Sequence, residues 1–227
     1  MKKIVVFSGA GISAESGLKT FRDNNGLWEN YKIMDVATPE AWEKQPQTVL
    51  EFYNLRRKQV VDALPNSAHF CLAELEAFFN VQIITQNIDD LHERAGSSNV
   101  LHLHGEILKS RSTKTGAIQK INGAMLNLGD LCSKNSQLRP DVVWFGEAVP
   151  NMLLAEELCK DADILIIVGT SLAVYPAANI IDYIPEKCST YLVDPNKIDL
   201  NNMKNLTVIN KKASIGIPIL AKILVDK

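Results

Sequence analysis

The stretch LHLHGE places His102 and His104 at alternate positions just ahead of Gly105. On a strand this spacing turns both imidazoles to one face, and the glycine then leaves His104 at a sheet edge. An imidazole there, neutral near pH 7, can accept a proton from a hydroxyl. The H-x-H spacing would also suit two metal ligands, yet no further ligands stand close by, and a lone buried histidine is often a packed core residue. A second polar group occurs in TQNIDDLHERAG, where Gln86, Asn87 and Asp89 follow an apolar run. Helix capping by Asp89 or Asp90 explains one carboxylate and leaves the two amides and the other carboxylate to another purpose.

Two glycine loops point to a nucleotide. In FSGAGISAESG, Gly9, Gly11 and Ala14 satisfy the spacing G-x-G-x-x-G/A, with Ala10 between the glycines. Such a turn lets the backbone approach a ligand, and the amides of the following helix face a pyrophosphate. The hydroxyls of Ser8, Ser13 and Ser16 suit phosphate or ribose. A dinucleotide fold also expects an acidic residue about 20 positions on, at the end of a second strand. Asp35 stands near that place, but NYKIMDVATPEAW does not read as a strand, so an ordinary dehydrogenase is disfavoured. The rival reading is a plain tight strand–helix turn. The second loop, in IIVGTSLAVYPAA, offers Gly169, Thr170 and Ser171. VVWFGE is extended; Trp144 and Phe145 are either core, or part of an edge strand able to pair with a peptide.

One arginine stands out. On the helix TVLEFYNLRRKQVVDAL, residues Val49, Phe52, Tyr53, Arg56, Val60, Ala63 and Leu64 fall on one face. Arg56 sits in the middle of that apolar stripe, and Arg57 toward its border. A guanidinium so placed pairs with a carboxylate of the protein, or binds one that belongs to a substrate. Tyr53 is its neighbour three residues earlier.

The elements that must hold these groups are short apolar runs at 4–7, 81–85, 100–103, 142–145, 164–168, 191–193 and 206–209, read as buried parallel strands. Helical patterns at 68–79, 152–160, 177–184 and 214–225 lie between many of them, which implies βαβ crossovers and an open α/β sheet. Residues 23–66 form a mostly helical insertion, and 106–140 are polar without an apolar period, as in a functional loop or a small satellite lobe. The chain is read as a single catalytic domain over 1–227, with its core in 1–22, 67–105 and 141–227. With 227 residues and a net charge of −2 it carries no basic stripe, so no nucleic acid is expected. No apolar run reaches the length of a membrane span, so no membrane is expected either. Four scattered cysteines without a C-x-x-C pair suggest reduced thiols in the cytoplasm. Composition leaves the oligomeric state open.

Taken in order, GAGISAESGLKTFR, PNSAHFCLAELE, TQNIDDLHERAG, LHLHGE, RPDVVWFGE and VGTSLAVYPAA resemble the sirtuins, NAD-dependent protein-lysine deacylases. The resemblance runs from about residue 4 to 220, and it is greatest to bacterial sirtuins of the desuccinylase class. MDVATPEAW and EFYNLRR carry that second likeness: Ala37 widens the acyl pocket, and Tyr53 with Arg56 form the Tyr-x-x-Arg pair. The resemblance implies a Rossmann-like NAD domain with a helical insertion and a small second lobe, and an acyl-lysine protein or peptide as substrate. It places Gly9, Ala10, Gly11, Ser13, Ser16, Arg22, Gln86, Asn87, Asp89, Gly169, Thr170 and Ser171 at NAD. It places Val143, Phe145 and Gly146 at the peptide and makes His104 the catalytic base, with Asn87 and Asp89 beside the reacting ribose. The implied products are nicotinamide, free lysine and an O-acyl-ADP-ribose. Protein ADP-ribosyl transfer, or NAD binding without catalysis, are the rivals on the same fold.

Two departures from that family are visible. Most sirtuins carry four zinc-binding cysteines between the HG motif and the VxFGE strand, whereas 106–140 holds only Cys132, and SRSTKTG has serine and threonine instead. No zinc is expected, and the lobe must fold through packing or stay mobile. In TYLVDPNK, Leu192 or Val193 stands where an asparagine commonly contacts the adenosine side, so either NAD is bound less tightly or Asp194 or Asn196 makes the contact.

Overall fold

A computed structural model of the chain describes residues 1–19, 27–28, 31–198, 203 and 205–226. Arg22, expected at the cofactor, lies outside the described residues. Strands β1 (Lys3–Ser8), β4 (Asn80–Thr85) and β9 (Ile164–Val168) are apolar, largely β-branched runs buried on both faces, the composition a central parallel strand needs. With β5 (Val100–His102), β10 (Ser189–Val193) and β11 (Leu206–Ile209) they form one parallel sheet in the order β11-β10-β9-β1-β4-β5. The chain leaves β1 toward β4 and later returns to its other side as β9. The crevice between the carboxyl ends of β1 and β9 is therefore a topological switch point, where open α/β sheets bind ligands. Both glycine loops, after Ser8 and after Val168, open there.

Helices cover the two faces. The first is a single turn, α1 (Gly11–Ala14), while α5 (Ser67–Glu74) and α8 (Ala213–Val225) pack together on one side. On the other side lie α7 (Met152–Cys159) and a 3-10 segment, Ala177–Tyr183. The short α6 (Leu91–Arg94) follows the β4 loop. Asn66 starts α5 with a capping box: its side chain accepts the Ala68 amide, while His69 Nδ1 accepts the Asn66 amide.

Between β1 and α5 come a two-residue ribbon, β2 (Leu27–Trp28) with β3 (Tyr31–Lys32), and the helices α2 (Ile33–Val36), α3 (Pro39–Lys44) and α4 (Pro46–Asp62). Proline at the first position opens both α3 and α4, where its missing N–H costs nothing. The polar stretch that lacked a helical period is a second sheet, antiparallel, of β6 (Gly105–Ser112), β7 (Ile118–Lys120) and β8 (Leu138–Val142) in the order β7-β6-β8.

Four expectations are corrected. The run at 142–145 is not a buried parallel strand: β8 ends at Val142, pairs antiparallel with β6, and the chain then turns. Its Val–Val–Trp–Phe composition suits any extended backbone, and composition alone does not choose the sheet. The run at 206–209 is parallel but forms the sheet edge, with Val208 49% exposed. Leu64 lies past the end of α4 and is 71% exposed. Finally, α4 is buried on two sides. Phe52, Tyr53 and Val60 join a cluster with Ala37 and Trp144, while Leu50 packs with Leu126, Cys132 and Leu138 of the lobe.

Candidate active site

Three loops meet at the switch point, and their polar side chains bond to one another. Ser13 on α1 donates its hydroxyl to Asp89 Oδ2 at 3.0 Å and accepts the Asn87 amide at 3.2 Å. Gln86 Nε2 donates to Thr170 Oγ1 at 2.9 Å, linking the loop after β4 to the loop after β9. Asp89 Oδ1 also accepts the Leu91 amide at the start of α6, where Asp90 holds the N-cap position without a side-chain cap. Burial, only partly offset by the bonds from Leu91 and Ser13, raises the pKa of Asp89.

The glycines serve a use the motif did not disclose. A Cβ on Gly9 would stand 2.7 Å from Thr170 Cβ, one on Gly11 2.7 Å from Gly169 Cα, and one on Gly169 2.3 Å from the Ile12 nitrogen. The two loops interlock backbone to backbone, and Gly169 adopts a positive φ of 61° besides. The expectation that amides of this turn are available to a pyrophosphate is corrected in part. Those of Gly9, Gly11, Ile12 and Ser13 already donate to Val168, Gly169, Gly9 and Ala10 carbonyls. The helix is one turn long, so its amides are spent in closing the turn and in the interlock. Ser16 accepts from the Asn66 side chain at 3.0 Å, which also donates to the Ile12 carbonyl.

Both histidines bond the loop after β4, although β5 ends at His102 and His104 lies just beyond it. His102 bonds through Nδ1 to the Asn87 carbonyl and through Nε2 to Glu93 Oε1, each at 2.8 Å. Both partners are acceptors, so the ring donates twice and is an imidazolium. Burial opposes that charge, but the Glu93 carboxylate overrides it and the pKa of His102 is raised. His104 Nδ1 lies 2.9 Å from the Gln86 carbonyl, which can only accept. Nδ1 therefore carries the proton and Nε2 the lone pair. Burial lowers the pKa of His104, against the Gln86 bond, which keeps the ring neutral near pH 7. A neutral, oriented imidazole at a sheet edge is a general base in waiting.

The residues expected at the substrate form a second group beside it. The His104 carbonyl accepts the Val143 amide at 2.9 Å, and the Ala37 carbonyl accepts the Phe145 amide at 3.0 Å. Gly146 follows with a φ of 92°, closing a turn in which the Glu147 amide bonds the Trp144 carbonyl. Tyr53 and Arg56 are 1% and 5% exposed on α4, and Arg56 Nη1 donates to Gln59 Oε1 at 3.1 Å. A cavity of about 440 Å³ opens beside Ser171 and is lined by Leu172, Tyr175, Asn179 and Asn196; His104 is not among its walls. Asp194 turns back on its own loop, accepting the Asn196 amide at 2.8 Å.

The sequence reading missed Arg57, which is fully buried. It donates from Nε to the Ile107 carbonyl at 2.7 Å and from Nη1 to Asn54 Oδ1 at 2.6 Å and the Ala124 carbonyl at 3.2 Å. Desolvation lowers its pKa to about 10, still well above neutrality. Asn54 bonds both the amide and the carbonyl of Leu126. Together they fasten the lobe to α4. The signal in the sequence was Asn54-x-x-Arg57, offset by one residue from Tyr53-x-x-Arg56.

The donor set of that lobe does not fit zinc. Two tight turns, 112–115 and 132–135, are built around Ser112 and Cys132. Ser112 Oγ accepts the amides of Lys114 and Thr115, and Cys132 Sγ accepts that of Lys134. The turns are joined by Cys132 Sγ donating to Ser112 Oγ at 3.3 Å. Structural zinc takes four thiolate or imidazole ligands, and here one thiol faces hydroxyls and amides. Among the described residues no three His, Cys, Asp or Glu side chains gather anywhere in a way that could hold a metal.

This fold and this site define a nucleotide-binding enzyme of the doubly wound α/β class, with a neutral imidazole at the sheet edge. The profile of the Sir2 family matches residues 9–176, and the chain belongs to that family. It is 55% identical over 213 residues to an NAD-dependent protein deacylase of Helicobacter pylori (strain ATCC 700392 / 26695), covering 94% of this chain and 93% of the relative. An NAD-dependent protein deacylase of Bacteroides thetaiotaomicron is 47% identical over 231 residues, with 99% of both chains covered. Among solved structures, a Sir2 homologue in complex with NAD superposes with a TM-score of 0.90 at 38% identity, over 99% of this chain and 90% of that one.

Proposed function

We propose that this chain is an NAD-dependent protein-lysine deacylase that favours acyl groups ending in a carboxylate, such as succinyl or malonyl, over acetyl. Family membership and the deacylase relatives support the reaction. The acyl preference is supported by one observation: Tyr53 and Arg56 lie buried side by side on α4, in the cluster that contains Ala37 and Trp144. The guanidinium and the phenol stand three residues apart on one face of the helix, and an acyl carboxylate can accept from both. The resemblance to the desuccinylase class assigns the small side chain of Ala37 to the wider acyl pocket.

Ser13, Gln86, Asn87, Asp89, Gly169, Thr170 and Ser171 surround the switch point with neutral donors and acceptors and one carboxylate, a set that fits the ribose and amide groups of NAD. Ala10 and Ser16 on the first loop join that set, and the resemblance to the family implies Arg22 as a further cofactor contact. When bound, NAD supplies a ribosyl carbon that loses nicotinamide and takes up the acyl oxygen. His104 Nε2 accepts the ribose hydroxyl proton, while the Gln86 carbonyl steadies the proton on Nδ1. Asn87 and Asp89, locked through Ser13 and His102, keep the ring of groups in place, and positioning is the larger part of such catalysis. Val143, Phe145 and Gly146 bind the backbone of the acyl-lysine peptide. A carboxylate held at Arg56 supplies binding energy remote from the reacting carbon. The lobe needs no zinc, and the free thiols of Cys71, Cys132, Cys159 and Cys188 suit the reducing cytoplasm.

Matched succinyl-, malonyl- and acetyl-lysine peptides, incubated with and without NAD and read by mass spectrometry, test the reading. NAD-dependent loss of acidic acyl groups with nicotinamide and O-acyl-ADP-ribose is the expected result. Acetyl removed as efficiently as succinyl would refute the preference, and peptides gaining ADP-ribose would refute the reaction.

A further inference from the structure

The hydroxyl of Tyr53 is engaged in a way that fixes its polarity. Trp144 Nε1 donates to Tyr53 Oη at 3.1 Å. An indole N–H is a donor only, so the phenol oxygen must accept in this bond. A phenolic O–H lies close to the ring plane and has two in-plane directions. A proton aimed at the indole would meet the donor's own hydrogen, so it takes a direction away from Trp144. Among the described residues nothing accepts that proton, although Tyr53 is 1% exposed. Burial drives the phenol well above its ordinary pKa, against the bond from Trp144, so the proton stays on.

The indole has little freedom to do otherwise. Its backbone amide donates to Glu147 Oε2 at 2.8 Å, and Glu147 Oε1 pairs with Arg139 at 2.7 Å. The Arg139 guanidinium lies 3.9 Å from the Trp144 ring centroid, and the Trp42 ring packs at 5.8 Å. The ring is clamped by a cation and a second indole while its N–H points at Tyr53.

We propose that Trp144 is a positioning residue for acyl-group selection: its N–H obliges Tyr53 to present a proton, beside Arg56, to the carboxylate of an acidic acyl group. The inference rests on the acidic-acyl reading above. Without the indole N–H, Tyr53 can rotate its proton away and present a lone pair, which repels a carboxylate and leaves an acetyl methyl indifferent.

Steady-state kinetics on succinyl- and acetyl-lysine peptides of one sequence test it. Trp144→Phe removes the donor; replacing Trp144 by 3-benzothienylalanine removes it while keeping the shape, should the smaller ring disturb folding. In both, the ratio of kcat/KM for succinyl over acetyl should fall about three- to tenfold, the worth of one hydrogen bond, mainly through KM for the succinyl peptide. In a Tyr53→Phe background the same replacements should leave the ratio where Tyr53→Phe alone puts it. A parallel loss for both acyl groups would show a purely structural Trp144 and overturn the inference, as would an unchanged ratio. A wild-type protein without acidic-acyl preference would overturn the pocket reading itself, whereas a wild-type preference that survives both replacements overturns only the role of Trp144.

Discussion

Beneath the catalytic loops lie two histidines that acid should turn against the fold. His69 on α5 and His92 on α6 are 0% and 1% exposed, with ring centroids 5.0 Å apart. His69 accepts the Asn66 amide at Nδ1, and its Nε2 has no partner among the described residues. His92 meets Ser8 at 3.0 Å through Nε2, and its Nδ1 is likewise without one. Burial lowers the pKa of His69 to about 4 and that of His92 well below the ordinary value. The folded-state pKa is depressed, so on acidification the unfolded chain takes up the proton first. The stability held by His69 is complete above the usual imidazole pKa and drains away as pH falls toward about 4. Between about pH 7.5 and about pH 5 the unfolded state gains roughly thirtyfold in proton binding over the folded state, or about 2 kcal/mol. His69→Asn removes this amount, because the asparagine oxygen can keep the Asn66 bond without titrating; it also removes the neighbouring charge that helps depress His92, which acts in the same direction. Urea unfolding of wild type and variant at the two pH values is the assay. Wild type should lose about 2 kcal/mol more than the variant on going to the lower pH. His102 and Asp89, whose raised pKa values work in the opposite direction, are common to both proteins and cancel. Equal losses in the two proteins would refute the argument and would mean that His69 finds a partner for its proton in solution.

Four further outcomes are expected. His104→Ala should abolish deacylation with the far-ultraviolet circular dichroism unchanged, and in wild type the acid limb of kcat/KM should fall below the usual imidazole range because burial depresses that pKa. Arg56→Met should reduce kcat/KM for succinyl-lysine by about a hundredfold and for acetyl-lysine far less, a contrast that charge-assisted binding alone produces; equal losses in peptide kinetics would make Arg56 structural. Elemental analysis should find no stoichiometric zinc and chelators should leave unfolding unchanged, whereas Arg57→Met should destabilise the fold by about 2–4 kcal/mol in urea titration, since three buried acceptors lose a charged donor.

The parallel sheet could be read from the chain because its strands are continuous apolar runs, and such runs have few alternatives in a chain with helical patterns between them. Loop groups at Gly9, Asn87 and Gly169 could be anticipated as neighbours because each follows a central strand, and strand ends of one sheet share an edge. What could not be read is which partner each polar group takes. The fingerprint glycines turned out to face each other across the β1 and β9 loops, a contact between residues about 160 positions apart that no local pattern encodes. The helical face centred on Arg56 was drawn too narrowly for the same reason. Periodicity finds one apolar stripe, and α4 has a second surface whose polar residues are buried because the lobe brings backbone groups to meet them.

That second surface changes how the missing cysteines should be understood. A zinc ribbon closes its two turns with metal–sulfur bonds and can fold with little help from its surroundings. Here the Ser112–Cys132 bond joins the turns, and a single neutral hydrogen bond of that kind is worth about 1 kcal/mol, far too little to replace a metal. The β6–β8 ladder, the Arg111–Asp141 ion pair and the Leu126–Cys132–Leu138 cluster add to it within the lobe, and Arg57 and Asn54 add bonds from α4 to the Ile107, Ala124 and Leu126 backbone. Those anchors sit on α4 one residue away from Arg56 and Tyr53. Under the proposed acyl preference, the helix that reads the acyl group is therefore also the one that bonds the lobe. A sirtuin whose lobe is closed by zinc does not need that link.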